Sequence, residues 1–301
     1  MKAVVLPSFG QAQRLELRDV AEPTPGPNEI KIRVVAAGIN PMDWKLRSGA
    51  LQSYFPIDLP AVLGRDVAGE VVAVGASVTR FRVGARVCGL VQHGYAEYVV
   101  APESAWAEVP ATLDLVEAAA LPLVLLTGAQ LIEAAVDVHA GESVLVTGAT
   151  GGVGRVAVYV AKQRAGTVYA GVRASHEFEA AKLGVHAVVA LDDERQIEAL
   201  PELDALADTV GGPPTQTLLP KLKRGGRIGS VVGEPPGAKE LGLAVRALGV
   251  HPDAKRLQEL VADVAAGTLV IPIERRFPLG EAAQAHELAE KGGVGKVVLT
   301  N

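Results

Sequence analysis

The sequence predicts an α/β protein in which a doubly wound parallel sheet is joined to a smaller, irregular β domain. Three observations carry this prediction. A β-rich run over 143–147 ends in the glycine cluster Gly148-Ala149-Thr150-Gly151-Gly152-Val153-Gly154 and feeds straight into a helix-forming segment. Strands and helices then alternate to about Gly267, the pattern of βα units around a parallel sheet. Before residue 110 the signals are instead short alternating strands punctuated by Gly and Pro.

In chain order, the N-terminal region offers strands over 29–36, 66–74, 85–90 and 95–100. The apolar stretch 118–132 carries Pro122 and is too short to span a bilayer, so it reads as a buried helix. The alternating series follows as strand 143–147, helix 153–164, strand 167–172, helix 175–183 and strand 186–191. It continues with strand 204–209, a helix near 215–222, and strands 227–232 and 241–250. A helix over 253–266, a strand over 270–276, a helix over 281–290 and a final strand over 296–299 complete the chain. The tail is expected to rejoin the N-terminal domain, which sets the domains at 1–112 with 268–301, and 113–267.

The 301 residues, 49% hydrophobic and 21% charged, suffice for two domains, each with its own core. A net charge of −5 gives no electrostatic reason to expect nucleic acid or an anionic membrane as partner. The single cysteine, Cys88, excludes an internal disulfide framework and any multi-cysteine zinc lobe, and its apolar setting without an adjacent base makes it a small hydrophobe. The N-terminus, with one lysine and an apolar run broken by Pro7, does not read as a signal peptide, and cytoplasmic residence is expected. The six histidines show no short-range ligand spacing and read as surface or locally satisfied residues.

Glycine admits backbone N–H groups close to phosphate oxygens, and the helix dipole favours negative charge there, so Gly148, Ala149, Thr150, Gly151, Gly152 and Val153 are the candidate pyrophosphate loop. An NAD-binding protein would place an acid on the ribose 2′-hydroxyl about 20 residues further on. The sequence offers Gly171-Val172-Arg173-Ala174-Ser175. Arg173 can donate paired hydrogen bonds to a 2′-phosphate and Ser175 can add a hydroxyl or a helix cap, with no carboxylate in the segment to repel it. NADP(H) is therefore the expected cofactor; the alternative for Arg173 is a solvated surface side chain.

The order of segments, together with Ala37-Gly38-Ile39-Asn40-Pro41-Met42-Asp43-Trp44-Lys45, Leu63-Gly64-Arg65-Asp66-Val67-Ala68-Gly69, the 118–128 segment ending in Thr127-Gly128, the glycine cluster, Gly225-Gly226-Arg227-Ile228 and Gly295-Lys296-Val297-Val298-Leu299, resembles the zinc-independent quinone oxidoreductase branch of the medium-chain dehydrogenase/reductase superfamily. The resemblance covers nearly the whole chain. It implies a Rossmann nucleotide-binding domain and a GroES-like β-barrel domain. It also implies that Thr127, Thr209, Ser230, Val231 and Lys296 contribute to the cofactor site. The sequence departs from the pattern at Val232, where a glycine is usual, and at Leu191, where an aromatic is frequent. Without the resemblance, Thr127 would read as a helix-interior hydroxyl bonding back to its own turn.

In zinc-dependent members a cysteine, a histidine and a second cysteine stand where this sequence has Asn40, Arg65 and Leu123, none of them a zinc ligand at such a site. No bound metal is expected. With zinc absent, the oxygen that becomes negative on hydride delivery must be met by hydrogen-bond donors, and Asn40, Tyr54, Lys45 and Arg65 are the candidates. Lys45 and Arg65 have a plainer alternative in pairing with Asp43 and Asp66; Tyr54 could cover a barrel edge and Asn40 could cap a turn. No general acid stands out, which suits quinones and the C=C bond of α,β-unsaturated carbonyls, whose products are delocalised anions. An enoyl thioester reductase and a non-catalytic NADPH-binding sensor are the competing readings. The apolar strand over 241–250 is a hazardous sheet edge, and pairing with a second copy is expected to give a homodimer.

Overall fold

The computed structural model describes residues 1–293 and 295–301. It divides into two compact units, Met1–Leu123 with Pro252–Asn301, and Val124–His251. The expected fold class is present: one unit holds a largely antiparallel sheet and the other a six-stranded parallel sheet.

The first unit is organised on the ten-residue strand Glu29–Gly38. Along one side it pairs antiparallel with Asp66–Val74, and along the other with Tyr98–Pro102 near its start and Lys296–Thr300 near its end. Arg86–Leu90 and Trp106–Glu108 extend the sheet beyond Asp66–Val74, and Ile273–Pro278 extends it beyond Lys296–Thr300. Through these pairings the C-terminal strands share a sheet with the N-terminal region. A separate small sheet joins Lys2–Leu6 to Glu16–Asp19 and Ala61–Val62. Alternating positions supply the core, with Ile30, Ile32, Val67, Val87 and Trp106 in one cluster and Leu6, Ile39, Tyr95 and Leu299 in another. The register sets Gly38 opposite both Asp66 and Val298, which brings the ends of three strands together. A Cβ on Gly38 would lie 2.4 Å from the Ala119 carbonyl oxygen, so only glycine permits this approach.

In the second unit the parallel strands run in the order Ala187–Ala190, Thr167–Val172, Ser143–Thr147, Leu203–Asp208, Leu222–Ser230, Ala244–Ala247. The order reverses direction between Ser143–Thr147 and Leu203–Asp208, the switch point where such sheets bind ligands at their carboxyl ends. Val144, Leu145 and Val146 are fully buried, as a strand covered on both faces requires.

Several local expectations are corrected. The helix expected over 253–266 is found as Ala254–Ala265, but it belongs to the first unit, where Gln258 exchanges hydrogen bonds with the Glu108 backbone. The helix expected near 215–222 is split into Gly212–Gln216 and a single turn Leu219–Lys221, because Pro220 interrupts the chain's hydrogen bonding. The strand expected over 241–250 shortens to Ala244–Ala247, following a turn at Gly242 with φ +70°. Helices Pro41–Ser48 and Glu194–Glu198 and strands Lys2–Leu6, Glu16–Asp19 and Trp106–Glu108 had no sequence expectation. The apolar stretch 118–132 is helical as Pro122–Gln130 and continues as a wider π-type coil over Leu131–Val136. No helix among the described residues is long and apolar enough to cross a membrane.

Candidate functional site

In the second unit the glycine cluster follows Ser143–Thr147 and leads into the helix Gly152–Arg164. Gly148 takes φ +61°, and a Cβ there would meet the Thr209 hydroxyl at 2.6 Å. Gly154 lies so close beneath the loop that a Cβ would be 2.1 Å from the Gly148 carbonyl oxygen. The loop is closed by Gly151 N–H donating to the Gly148 carbonyl at 2.9 Å. Arg155, which the sequence reading did not single out, pins it from below: Nε donates to the Thr150 carbonyl at 2.9 Å and Nη2 to Glu179 at 2.7 Å. Lys182 and Arg155 together hold the Glu179 carboxyl down at about 2. At the N-cap, Gly151 has no side chain, so no side-chain cap covers the first turn of the helix. A Cβ on Gly151 would touch only the Gly148 oxygen, at 3.3 Å.

Beside this loop, Asp208 fastens the carboxyl ends of three strands. Its Oδ1 accepts from the Thr147 hydroxyl (2.9 Å), the Thr215 hydroxyl (2.7 Å) and the N–H groups of Val210 (3.1 Å) and Gly211 (3.0 Å). Its Oδ2 accepts from the Ser230 hydroxyl at 3.0 Å. The Thr209 hydroxyl donates to the Thr147 carbonyl at 2.7 Å. The Thr209 and Ser230 side chains are thus engaged in holding strand ends, and Val231 N–H donates to the Asp208 carbonyl. Thr127 differs: its hydroxyl is buried and has no hydrogen-bond partner, so it does not bond back to its own turn.

At the end of Thr167–Val172, Arg173 and Ser175 are exposed. The absence of a carboxylate expected here is corrected: Asp192, from beyond the next strand, accepts from the Ala174 N–H at 2.8 Å. A contribution from a neighbouring strand is invisible in the local segment.

In the first unit, Asp66 is the meeting point of four of the sequence segments. Its Oδ1 accepts from Leu123 N–H at 2.7 Å and its Oδ2 from the Asn40 amide at 2.9 Å. The Lys296 ammonium lies 3.6 Å from the same Oδ2 and donates to the Ile39 carbonyl (2.9 Å) and to Asn40 Oδ1. Burial pushes Asp66 up and Lys296 down, and each charge opposes the other's shift. Asn40 is 1% exposed with both ends of its amide engaged, and its N–H donates to Asp43 at 2.8 Å. Burial raises the Asp43 carboxyl to about 6, with Asp66 adding to the shift. Deeper still, Arg47 bonds both carboxylate oxygens of Glu290 at 3.0 Å and donates to His286 Nδ1. Burial, reinforced by Arg47, drives His286 down to about 3. None of Asp66, Arg47 or His286 was read as a site residue; each acts through partners far away in sequence.

Arg65 and Tyr54 come together in a cavity of about 490 Å³, lined also by Met42, Ile57, Leu63 and His93. Arg65 forms no ion pair among the described residues; its Nη1 rests on Met42 sulfur at 3.2 Å and its buried Nε has no partner. The pairings of Arg65 with Asp66 and of Lys45 with Asp43 are absent: Asp66 is engaged by Asn40, Leu123 and Lys296, and Asp43 is fully buried whereas Lys45 is exposed. Tyr54 is 78% exposed at the cavity rim. Asn40 and Lys45 do not line the cavity, and Lys45 is exposed. A larger groove of about 720 Å³, bordered by Leu113, Leu121, Val264 and Leu269, holds none of the sequence-predicted residues. No group of three or more His, Cys, Asp or Glu side chains suited to a metal ion exists among the described residues.

Residues 26–111 match the family described as alcohol dehydrogenase GroES-like domain, and residues 183–299 match zinc-binding dehydrogenase. The chain is 31% identical to the quinone oxidoreductase of Sus scrofa, over 99% of this chain and 97% of that protein. It is 30% identical to the chloroplast envelope quinone oxidoreductase homolog of Arabidopsis thaliana, over 96% and 95%. Among solved structures, the quinone oxidoreductase from Coxiella burnetii superposes with a TM-score of 0.90 at 32% identity, covering 100% of this chain and 99% of that one. A dehydrogenase of this kind uses a nicotinamide cofactor. The two matched domains, the full-length relatives and the strand order agree, and the chain is an oxidoreductase belonging to the quinone oxidoreductase branch of the medium-chain dehydrogenase/reductase superfamily.

Proposed function

We propose that the protein is an NADPH-dependent reductase of quinones or of the C=C bond of α,β-unsaturated carbonyls, working without zinc. The observation that carries this reading is Arg65, a guanidinium that forms no ion pair among the described residues and lines a cavity of substrate size, at the position where zinc-dependent members have a metal ligand. An oxygen that becomes negative can be met there by charge-assisted hydrogen bonds. Tyr54 closes the rim and adds a hydroxyl. Asn40 serves by ordering the segment around Asp66, and Lys45 is left as a solvated side chain.

The second unit fits a reduced nicotinamide dinucleotide. Its loop of Gly148, Ala149, Thr150, Gly151, Gly152 and Val153 leaves first-turn amides for a pyrophosphate, and the unpartnered Thr127 hydroxyl is free to bond the carboxamide end. When bound, the cofactor supplies the hydride. Arg173 and Ser175, exposed beyond their strand, suit the 2′-phosphate, with Val231 offering backbone contact. Asp192 favours a second reading, NADH, because a carboxylate near that strand end suits a 2′-hydroxyl. We further propose a cytoplasmic homodimer joined through the Ala244–Ala247 edge strand, which is hydrogen-bonded on one side only.

The test is a spectrophotometric screen of NADPH oxidation against ortho-quinones, small enals, enoyl thioesters and simple ketones. Turnover of quinones or enals is expected; turnover of ketones alone overturns the reading. Arg173→Ala is expected to weaken NADPH by about 1.5–3 kcal/mol and leave NADH nearly unchanged. Equal losses for both overturn the 2′-phosphate assignment.

A further inference from the structure

His93 lines the same cavity as Arg65 and Tyr54. Two features set it apart. Its backbone lies in the left-handed region, φ +62°, where a side chain with a Cβ is sterically disfavoured. The other non-glycine residue there among the described residues, Asp137, simply ends a helical coil, whereas His93 terminates no helix. Strain of this kind collects at functional sites. The segment is also held in place: Val91 N–H donates to the Arg65 carbonyl, Gly94 N–H to the Gly64 carbonyl, and Tyr95 N–H to the Leu63 carbonyl. His93 therefore sits on a loop strapped directly against the Arg65 segment.

The ring is oriented as well. Nδ1 lies 3.0 Å from the Val62 carbonyl oxygen, which can only accept, so Nδ1 carries a proton. Nε2 lies outside that bond, on a side chain exposed to water. The other charged or ionisable groups lining the cavity are Arg65, Asp58 and Tyr54. Arg65 cannot release a proton at any physiological pH.

We propose that His93 is the proton donor for the reduction, resting on the reading above that this cavity takes the acceptor. An enone receives hydride at its β carbon from the reduced nicotinamide, and the displaced π pair moves onto the carbonyl oxygen, where Arg65 holds the enolate. The donor is the imidazolium form of His93: its Nε2–H bond breaks as a C–H bond forms at the α carbon, which leaves the neutral ring with its proton on Nδ1. The acceptor is reduced by two electrons, the nicotinamide is oxidised, and neutral His93 regains its proton from water. A quinone needs this donor far less, because its product oxyanion is delocalised into an aromatic ring and picks up its proton from solvent.

The experiment compares the parent protein, His93→Asn and His93→Gly with one small enal and one ortho-quinone. Asn and Gly both accept the left-handed backbone, so folding is retained. The expected result is a loss of roughly 100-fold in kcat for the enal, with a loss for the quinone at least about tenfold smaller. Added imidazole is expected to restore enal turnover to His93→Gly, an effect that a structural role cannot produce. Equal losses with both acceptors, or no loss with either, overturn the assignment of His93 while leaving the functional reading intact. Inactivity of the parent protein with both acceptors overturns that reading, and the proposal with it.

Discussion

Replacing Lys296 by Met removes the ammonium held between Asp66, Asn40 and the Ile39 carbonyl. At 3.6 Å, and with the effective dielectric constant near 20 that suits buried pairs, the attraction to Asp66 is worth about 4–5 kcal/mol. Removing one partner of such a pair costs roughly 3–5 kcal/mol, since the other charge is left buried. Part of this is recovered when the orphaned carboxyl takes up a proton, a step that burial already favours for Asp66. A double-mutant cycle with Asp66→Asn is therefore expected to show a coupling of about 2–4 kcal/mol in urea unfolding followed by circular dichroism. Because both groups are buried, the coupling should persist when NaCl is raised from about 0.05 to 0.5 M. Additivity within about 0.5 kcal/mol, or disappearance of the coupling in salt, would refute the internal ion pair.

Two further outcomes follow from the geometry. Gly154→Ala puts a methyl 2.1 Å from the Gly148 carbonyl, so the loop must shift; a loss of about 1–3 kcal/mol in thermal stability and at least a tenfold weaker NADPH affinity by calorimetry are expected. Unchanged affinity would mean that the loop does not hold the pyrophosphate. His286, near 3 when folded and near 6.5 when unfolded, binds fewer protons in the folded state between those values, so stability falls as pH drops from about 6.5 to 3. Asp43, raised from 3.8 to about 6, acts oppositely: between 6 and 3.8 the folded state binds more protons and gains stability as pH falls. Asp43→Asn removes the compensating term, and its unfolding free energy should drop more steeply than the parent's between pH 6 and 4, by up to about 1.4 kcal/mol per unit. Parallel profiles would contradict the buried state of Asp43.

Much of this arrangement is written in local pattern. The Ser143–Thr147 strand and its glycine turn, the alternation behind it, and the strand Asp66–Val74 are all read at or near their true limits, since a run of β-branched residues bounded by glycine has few other ways to fold. The helix Pro41–Ser48 escaped notice because it is short and largely polar, and its buried residues include Asp43 and Arg47, which no hydrophobic periodicity would select. The helix Ala254–Ala265 was legible as a helix, but its attachment to the first unit depends on Gln258 meeting Glu108, 150 residues earlier. Tyr54 and Arg65, expected from their segments, line one cavity. Asn40 was expected to face the acceptor and is instead enclosed by Asp66 and Lys296, because residue type reveals donors without revealing which of them the fold has already satisfied. Asp208 and Arg155 are ordinary letters in the sequence and gain meaning only when several strand ends and a loop carbonyl converge on them.

The side chains of Asp208, Thr147, Thr215 and Ser230 are buried, while Arg173, Ser175 and Asp192 are exposed at the surface, attached to other strands. Under the proposal that Arg173 and Ser175 hold a 2′-phosphate, cofactor preference is detached from the framework that shapes the glycine loop. Exchanging Arg173 for an acid would, on that proposal, shift preference toward the other dinucleotide while leaving the strand termini held by Asp208 untouched.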